Sequence, residues 1–345
     1  MPDICAWLLQ DATCCALFLA AAFSEEGAVI RPFGLTDVLA VRRLQRTGAW
    51  LDLFHYLLLR RSALTTAMIA PVPWVGTGLA SYVWQSQQGI QGFVQMLKRP
   101  GRYEADLLFI APDIQQSPGE AAWEHLLAYC IEDAGRHGMR RLFASLPEGT
   151  AESDVLSALG FAIYSNEDVF VVRRPPKAAP APQDGRLRLR REDDIWWLRR
   201  LYSIYAPQPV QHAEGMSDGE GPLVLPLAWW ELTHQHGYVV ANGNDIYGGV
   251  QLVSGRCGHW LLVHGDPADQ ELMALLIQQG LHEMAGNRWP VFCAVRDYQG
   301  GMRAVLYDHG FEPYTRRSRL VKHLAVRVKA TEPAPVSAMV VERPG

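Results

Sequence analysis

The sequence predicts an α+β protein made of two tandem copies of one domain, each a mixed, mainly antiparallel sheet flanked by helices. The first observation is a repeat, because residues 30–45 (IRPFGLTDVLAVRRLQ) align without a gap with residues 187–202 (LRLRREDDIWWLRRLY). The second is that the same order of predicted strands and helices follows both copies. The third is residues 175–185 (PPKAAPAPQDG), whose prolines and alanines predict a semi-rigid linker between the copies.

Each copy of the repeat predicts a short strand, a turn and a helix that ends in Arg-Arg-Leu. Apolar residues recur at helical spacing in both copies, and an aspartate, Asp37 or Asp194, stands near each helix start. An acidic residue in the first turn suits the positive end of the helix dipole. The two motifs therefore open two equivalent domains.

Equivalent elements then follow in the same order in both halves. Two β-rich runs separated by a glycine-containing turn predict a hairpin at residues 90–110 and another at residues 246–265. A long helix comes next, at residues 120–137 and 269–285, and is followed by a buried strand and a short helix. A Gly-Phe pair and a last strand close each half.

The chain of 345 residues thus divides into two domains of similar length. We predict the first domain at residues 29–174, the linker at residues 175–185 and the second domain at residues 186–329. Residues 330–345 contain three prolines and no periodicity, which predicts a disordered tail. The two domains are expected to pack as an intramolecular pseudo-dimer.

Residues 1–28 form an N-terminal extension of uncertain role. Its apolar stretch is similar to a signal or membrane helix, but Asp3 stands where a basic residue would precede a signal sequence, and Asp11 interrupts the apolar run. The extension is interpreted either as a helix outside the domains or as a stretch ahead of the true start of the mature protein. We expect no membrane partner.

Composition excludes several classes of function. The formal net charge of -4 gives no reason to expect a basic surface for nucleic acid. The six cysteines form no C-x-x-C pair and do not stand beside histidines at zinc-ligand spacing, so we expect no metal site. Scattered free thiols are typical of a reducing compartment, which predicts a cytoplasmic protein.

The order of elements resembles the GNAT (GCN5-related N-acetyltransferase-like) superfamily, over about residues 29–174 and again over residues 185–329. The arginine-rich first strands, I-R-P and L-R-L-R, and the Gly-Phe pairs before the last strands are landmarks of that family. The resemblance implies an N-acetyltransferase that uses acetyl-CoA as cofactor. Its acceptor would be a small-molecule or peptide amine.

The resemblance also implies where the cofactor binds. In the family, the pantetheine arm lies between two diverging strands, and the pyrophosphate lies at the N-terminus of the long helix, on a loop of pattern Q/R-x-x-G-x-G/A. In the first half Gln116, Gly119 and Ala121 satisfy that pattern, while an ungapped alignment uses Gln115 instead. The predicted cofactor-binding residues are Phe109, Ile110, Gln115, Gln116, Gly119, Ala121 and Ala122.

The same loop has a second interpretation as a helix cap. Residues 117–120 (SPGE) form a capping box, and residues 266–269 (DPAD) repeat that design in the second half. An acidic residue at the third helical position, Glu120 or Asp269, would repel a pyrophosphate, and the second half has no glycine loop. We therefore expect cofactor binding in the first half, with the second half as a degenerate partner.

Glu104 is the predicted catalytic residue, acting as general base. It stands eight residues before Pro112, where the family places a strand glutamate, and it shares a strand face with Asp106. Partial burial of two carboxylates would raise one pKa towards the range useful for accepting an amine proton. The alternative is an exposed strand charge, and the tyrosine that commonly protonates the thiolate is replaced by Leu156 and Leu306.

Other groups have both a functional and a structural interpretation. His264 ends a strand where an acyl group would lie, but it also suits a capping or surface position. Residues 296–299 (RDYQ) follow the next strand, where functional loops and ordinary turns both occur. The tryptophan pairs at 196–197 and 229–230 suit a substrate groove or, more simply, packing between the halves.

Three functions remain open from the sequence. The first is an acyl-CoA-dependent N-acyltransferase whose first half is active. The second is a non-catalytic module that binds a small ligand or a protein partner. The third is a purely structural pseudo-dimer.

Overall fold

A computed structural model describes residues 28–60, 62–70, 72–214, 234–243 and 245–324. The predicted N-terminal extension before residue 28 and the predicted C-terminal tail lie outside the described residues. We call residues 28–174 the first half and residues 186–324 the second half.

The strands of the first half are β1 (Val29–Pro32), β2 (Ala49–Trp50), β3 (Leu79–Ser86), β4 (Gly89–Lys98), β5 (Glu104–Ala111), β6 (Arg141–Pro147) and β7 (Ala162–Val172). Those of the second half are β8 (Leu187–Leu189), β9 (His234–Asn242), β10 (Asp245–Ser254), β11 (His259–Gly265), β12 (Val291–Arg296) and β13 (Glu312–His323).

The helices of the first half are α1 (Val38–Leu44), α2 (Leu53–Leu59), α3 (Ala63–Ile69), α4 (Gly119–Arg136) and α5 (Ala151–Ala158). Those of the second half are α6 (Asp194–Tyr205), α7 (Gln208–Ala213), α8 (Gln270–Glu283) and α9 (Met302–Asp308). Short 3-10 turns precede α1 (Leu35–Asp37) and follow β12 (Asp297–Gln299).

The thirteen strands found among the described residues belong to one sheet. Its order is β1-β3-β4-β5-β6-β13-β7-β12-β11-β10-β9-β8, with β2 paired to β5 beside this path. Neighbouring strands are antiparallel except for β5 with β6 and β11 with β12, which are parallel. The prediction of two α+β units with mainly antiparallel sheets is confirmed.

The last strands of the two halves are exchanged. β13 lies between β6 and β7 of the first half, and β7 pairs with β13 on one side and with β12 of the second half on the other. Each half thus supplies a strand that the other half needs, because an unpaired strand edge would leave backbone polar groups without partners. The exchange joins the two halves into a continuous sheet.

A long amphipathic helix covers the sheet in each half. In the first half Trp123, Leu126 and Leu127 of α4 belong to the core formed with β3, β4 and β5. In the second half Leu276 and Ile277 of α8 occupy the equivalent core. Each such fully buried side chain contributes roughly 1.5–3 kcal/mol relative to exposure.

The residues of the predicted linker follow the surface of the second half. The main-chain oxygen of Pro176 accepts a hydrogen bond of 3.0 Å from Gly286 N, and that of Ala179 lies 2.6 Å from Nδ1 of His282. In the part of the chain that the structure describes, no helix is long and apolar enough to span a membrane.

Candidate active site

The parallel strand pair in each half diverges after three residues. β5 and β6 pair from Glu104 with Arg141 to Asp106 with Phe143, and β11 and β12 pair from His259 with Val291 to Leu261 with Cys293. Beyond these pairs the strands separate. We call the space between residues 107–111 and 144–147 the first gap, and the space between residues 262–265 and 294–296 the second gap.

The first gap is filled by the chain itself. Ala49 pairs with Ile110 and Trp50 pairs with Phe109, so that β2 adds an antiparallel partner to β5. Leu51 N donates to Leu108 O at 2.9 Å, and Ser145 N of β6 donates to Leu51 O at 2.7 Å. Residues 49–51 therefore hydrogen-bond to both diverging strands, and we call them the plug.

Close packing holds the plug in place. A Cβ atom added to Gly48 would lie only 2.7 Å from the main-chain oxygen of Ile110, so glycine is needed for the chain to approach β5. The ring of Trp50 lies 5.0 Å from that of Phe109. Arg317 of the exchanged strand β13 donates to Trp50 O at 3.1 Å and to Ser145 Oγ at 2.9 Å.

The plug changes the interpretation of the predicted cofactor site. The sequence predicts that Phe109 and Ile110 face a pantetheine arm, but the backbone of both is paired with β2. The chain occupies the position in which an acyl donor was expected in the first half. The chain can take this position because the extended backbone of the plug supplies the same kind of hydrogen bonds that an amide-containing ligand would supply.

The loop before α4 folds back on itself. Gly119 N donates to Gln116 O, and Gly119 packs so closely against Asp113 and Ile114 that a Cβ atom would clash with their main-chain oxygens. Gln115 is exposed, and its main-chain N–H donates to Asp113 Oδ1 at 2.9 Å. Gly119 therefore serves the loop's own packing.

The start of α4 differs from both interpretations of the sequence. The predicted capping box with Ser117 at its start is wrong, because the helix begins one residue later and its N-cap, Pro118, makes no side-chain cap bond. Ala121 is exposed, whereas Ala122 is buried and its N–H donates to Pro118 O at 2.9 Å.

Glu104, the predicted general base, is a buried ion-pair partner. It is 4% exposed, and its carboxylate lies 3.1 Å from Arg99, 3.1 Å from Arg102 and 3.2 Å from Arg141. It lies where β5 and β6 are still paired, away from their diverging ends. Asp106, expected on the same wet face, is also buried and accepts two bonds from Arg99. The structure thus gives both carboxylates arginine partners.

The second gap opens into a cavity of about 210 Å³ between the two halves. Its second-half wall comes from α6, β11, β12 and the turn after β12, and its first-half wall comes from the start of α2, from β5 and from β6. The polar side chains that line it include Asp52, Arg99, Arg102, Asp106, Ser145, Glu167, Tyr202, Tyr205, Glu214, Gln251, His264, Arg296, Tyr298, Gln299 and Arg319. Among the described residues, no segment equivalent to the plug lies in this gap.

Glu214 is a carboxylate of the cavity that three side chains hold. It accepts hydrogen bonds from Tyr202 Oη at 2.5 Å, Tyr164 Oη at 3.1 Å and Arg296 Nη2 at 2.8 Å. Burial opposes its ionisation, but the charge of Arg296 and the bond from Tyr202 outweigh burial and lower its pKa to about 2. Glu214 is therefore a fixed anion at neutral pH.

Glu167 bridges two arginines at the centre of the sheet. Arg296 Nε lies 3.3 Å and Arg319 Nη1 lies 3.5 Å from its carboxylate. Arg296 Nη1 is buried and has no hydrogen-bond partner among the described residues. Strands β7, β12 and β13 supply these three residues, so the strand exchange itself builds this wall of the cavity.

Two groups capable of proton transfer line the same cavity. Burial, assisted by the charge of Arg190, lowers the pKa of His264 to about 4, so its imidazole is neutral at pH 7. Burial raises the pKa of Tyr298 to about 12, so its phenol is protonated. The sequence favoured a capping or surface place for His264. The observation that could have identified it is its place at the end of β11, the strand equivalent to β5 of the first half.

The N-terminus of α8 is capped by a carboxylate. Asp269 is the N-cap, and it accepts from Leu272 N at 2.9 Å. The sequence placed Asp266 at this position, but Asp266 instead accepts from Ala268 N at 2.9 Å in the preceding turn. A Cβ atom added to Gly301 would clash with the main-chain oxygen of Pro267, so the loop before α9 packs directly on this turn.

Trp196 and Trp197 do not take the predicted place between the halves. Trp196 is 58% exposed on α6 and packs against Trp197, with ring centres 4.8 Å apart. The second predicted pair, at 229–230, lies outside the described residues. In the described part of the chain, no group of three or more histidine, cysteine, aspartate or glutamate residues could hold a metal ion.

The sequence matches no protein-family model and no curated protein. Among solved structures, a GCN5-related N-acetyltransferase from Sphaerobacter thermophilus is 12% identical, with a TM-score of 0.49 over 86% of this chain and 95% of that chain. A tandem GNAT protein from the clavulanic acid biosynthesis pathway, solved without AcCoA, is 16% identical, with a TM-score of 0.47 over 86% and 98%. A GCN5-related N-acetyltransferase from Anabaena variabilis is 10% identical, with a TM-score of 0.42 over 86% and 72%.

These likenesses concern the fold. Each half has one diverging parallel strand pair and a long helix, and the order of strands and helices is the one that the sequence predicts. The order of elements on which the resemblance to the GNAT superfamily rests is confirmed.

Proposed function

We propose that the protein is an acyltransferase of the N-acetyltransferase kind whose acyl donor binds in the second gap. One observation carries the proposal. Residues 262–265 of β11 pair with β10 on one edge, while their other edge faces the cavity beyond the short pairing with β12. Backbone N–H and C=O groups at such an edge need partners, and the amides of a pantetheine arm can supply them.

The proposal places the donor in the opposite half from the sequence prediction. The equivalent edge of β5 already has its partner in the plug. The second gap is the position where an extended ligand would make the bonds that residues 49–51 make in the first gap.

The reaction proposed for this site is direct attack of an amine on the thioester carbon. A carbon–nitrogen bond forms, the carbon–sulfur bond breaks, and the amine proton must leave while the thiolate gains a proton. His264 is the proposed acceptor of the amine proton, because its imidazole is neutral at pH 7. Tyr298 is the proposed donor to the sulfur, because its phenol stays protonated.

The low basicity of His264 sets a condition on the acceptor amine. A histidine with a pKa of about 4 is a weak base, and it acts best on an amine that has already lost its ammonium proton.

A second candidate function is a non-catalytic module that binds a small ligand in the same cavity. The observation that favours it is Asp269, whose carboxylate occupies the N-terminus of α8. A pyrophosphate would be repelled there, so a ligand without phosphates would fit this end of the second half better.

Calorimetric titration of the full chain with acetyl-CoA tests the proposal. We expect binding by the wild-type protein and at least about 100-fold weaker binding by Ala294→Trp, because the indole would fill the second gap. Ala294→Leu provides a smaller obstruction if the tryptophan variant fails to fold. Ile110→Val is the matched control beside the plug and should bind as the wild type does.

Wild-type affinity in both folded Ala294 variants would show that the donor does not use the second gap. Release of free thiol from acetyl-CoA, measured with a chromogenic disulfide reagent across a panel of amines, separates the two candidate functions. Acetyl-CoA binding without thiol release for any amine would favour the non-catalytic module.

A further inference from the structure

Gln251 and His264 lie on one face of the second-half sheet and line the cavity together. In the strand register, Gly237 of β9 pairs with Gln251 of β10, and Gln251 pairs with Leu262 of β11. His264 lies two residues beyond Leu262 in β11. Side chains that lie opposite each other, or two residues apart in one strand, point to the same face of a sheet. Gln251 and His264 therefore line the cavity from the same side.

Arg190 reaches this face from the edge of the sheet, where it directly follows β8. Its main-chain N–H donates to Gly237 O at 2.8 Å, and its Nη1 donates to Gln251 Oε1 at 3.2 Å. A Cβ atom added to Gly237 would lie 3.2 Å from Nε and 3.3 Å from Cδ of the arginine. The arginine side chain thus passes over the glycine on its way to the cavity wall, and a larger residue there would crowd it.

The first half has an aromatic residue at the position of Arg190. Phe33 aligns with Arg190 in the repeat, and its main-chain N–H donates to Ser81 O at 2.9 Å. The side chain of Phe33 is 4% exposed, and its ring lies 6.1 Å from that of Phe93. The same backbone position therefore supplies a core ring in one half and a cation directed at the cavity in the other.

The glutamines at equivalent places present opposite ends of their amides to the neighbouring strand. Gln95 pairs with Ser81 in the register, and its Nε2 donates to Ser81 Oγ at 3.1 Å and to Ala63 O at 2.9 Å. Gln251 instead turns its amide oxygen to Arg190, because a guanidinium group only donates hydrogen bonds. Arg190 therefore fixes the orientation of the Gln251 amide in the cavity wall.

Arg190 also brings a positive charge towards His264. The hydrogen-bond partner described for its guanidinium, Gln251, is neutral. Burial and then the charge of Arg190 lower the pKa of His264, whereas the charge of Glu214 raises it. On the sheet face that carries His264, the other charged or titratable side chains of the cavity on the elements around β11 are Asp52 of α2, Tyr202 and Tyr205 of α6, Arg296 of β12 and Tyr298 of the turn after β12.

We propose that Arg190 is a positioning residue of the cavity, whose guanidinium fixes the amide of Gln251 and holds a positive charge on the sheet face that carries His264. Its charge offsets that of Glu214, so the imidazole keeps the lone pair with which it accepts a proton. Arg190 is not among the cavity-lining residues and acts through two side chains that are. The inference rests on the proposed acyl transfer only for the task given to the imidazole.

NMR titration of the histidine side chains in the full chain tests the inference without any substrate. The resonances of His264 are assigned by their loss in His264→Gln. In Arg190→Met we expect the titration midpoint of His264 to move by at least about 0.5 pH unit towards neutral pH, because the positive charge is gone while Glu214 remains. Arg190→Lys keeps the charge and should restore the wild-type midpoint to within about 0.2 pH unit.

Arg191→Met is the matched control, because it removes the same charge from an exposed side chain one residue further along the chain. It should leave the midpoint of His264 unchanged. Arg190→Gln is the second neutral variant if Arg190→Met fails to fold. The pH profile of thiol release from acetyl-CoA gives a second readout, in which the limb that reports His264 should move with the NMR midpoint and return in Arg190→Lys.

An unchanged midpoint in the folded neutral variants would overturn the inference, whether or not thiol is released. A lysine variant that behaves like the methionine variant would overturn it too, because the charge would then not be what acts. Loss of folding in both neutral variants would give Arg190 a purely structural role and would also overturn it. A moved midpoint without thiol release for any amine would support the placement of Arg190 and remove the proposed acyl transfer.

Discussion

Both gaps form where a parallel strand pair diverges, but the chain fills the first gap, whereas the second opens into a cavity. In the first gap, residues 49–51 bond to both β5 and β6. The second gap, between β11 and β12, opens into a polar cavity whose far wall belongs to the first half. In a duplicated fold, the chain itself can thus bridge the diverging strands of one copy, while the diverging strands of the other copy line a polar cavity.

The two halves begin to differ in chain path at one aligned position of the repeat. When the ungapped alignment of the repeat is continued by three residues, Gly48 corresponds to Tyr205. The first-half helix α1 ends at Leu44, and the chain turns into the gap at Gly48, where no Cβ atom fits. In the second half α6 continues to Tyr205, whose side chain lines the cavity.

The largest expected effect comes from separating the halves. Residues 28–174 alone should fail to unfold cooperatively, because both strands that pair with β7 belong to the second half. Val169, Phe170 and Val171 would lose their burial. Near-ultraviolet circular dichroism and urea titration of the fragment measure this.

Co-expression of residues 1–174 with residues 175–345 is the control and should restore a folded complex. A monomeric first-half fragment with a sharp unfolding transition would contradict the role given to the strand exchange. It would support the self-contained domain that the sequence predicts at residues 29–174.

Disturbing the plug should cost less than separating the halves. Gly48→Ala is expected to lower the free energy of unfolding by about 1–3 kcal/mol, because the new methyl group collides with β5. Urea denaturation at pH 7 measures the loss. Gly185→Ala is the control, because Gly185 has open space around it and no positive φ.

If Gly48→Ala is as stable as the wild type, the plug does not pack as described. Acetyl-CoA affinity of the folded variant adds a sharper test. A gain of binding that survives Ala294→Trp would show that the first gap takes the donor once the plug is disturbed.

His264 should make stability depend on pH in the second half. Its folded-state pKa of about 4 lies below the ordinary value of 6.5, so between these values the unfolded chain binds a proton that the folded chain does not. Stability should therefore rise as pH increases through this window. By about 1.4 kcal/mol per pKa unit, the full effect is roughly 3 kcal/mol or less.

His264→Gln should flatten the stability curve between pH 4.5 and pH 7, as measured by urea denaturation. His309→Gln is the control and should retain the wild-type slope. An unchanged slope in His264→Gln would mean that the imidazole is not desolvated in the cavity.

The smallest expected effect is at the start of α8. Asp269→Ala removes the cap on Leu272 N and should cost about 1 kcal/mol of stability. The same change removes a negative charge from the helix N-terminus, so any acetyl-CoA bound in the second gap should bind a few-fold more tightly. Weaker acetyl-CoA binding in the folded variant would place the pyrophosphate away from this helix.

Local patterns in the sequence determined the fold class and the order of elements. The repeat, the hairpins and the long helices are visible because hydrophobic periodicity and turn residues act over a few neighbouring positions. The same patterns identified the ends of β11 and β12, which carry His264 and Tyr298, as places where function could lie. For the cofactor, however, they favoured the equivalent end of β5 in the first half.

Only the tertiary structure decided which gap is filled and which strands are exchanged. The plug strand β2 is two residues long and has no periodicity of its own, and it is held by Arg317, which lies 267 positions from Trp50 in the chain. The partners that hold Glu104 likewise include Arg141, 37 residues away. Such contacts depend on long-range packing between strands of both halves. Local sequence patterns do not determine which distant strands become neighbours in the sheet.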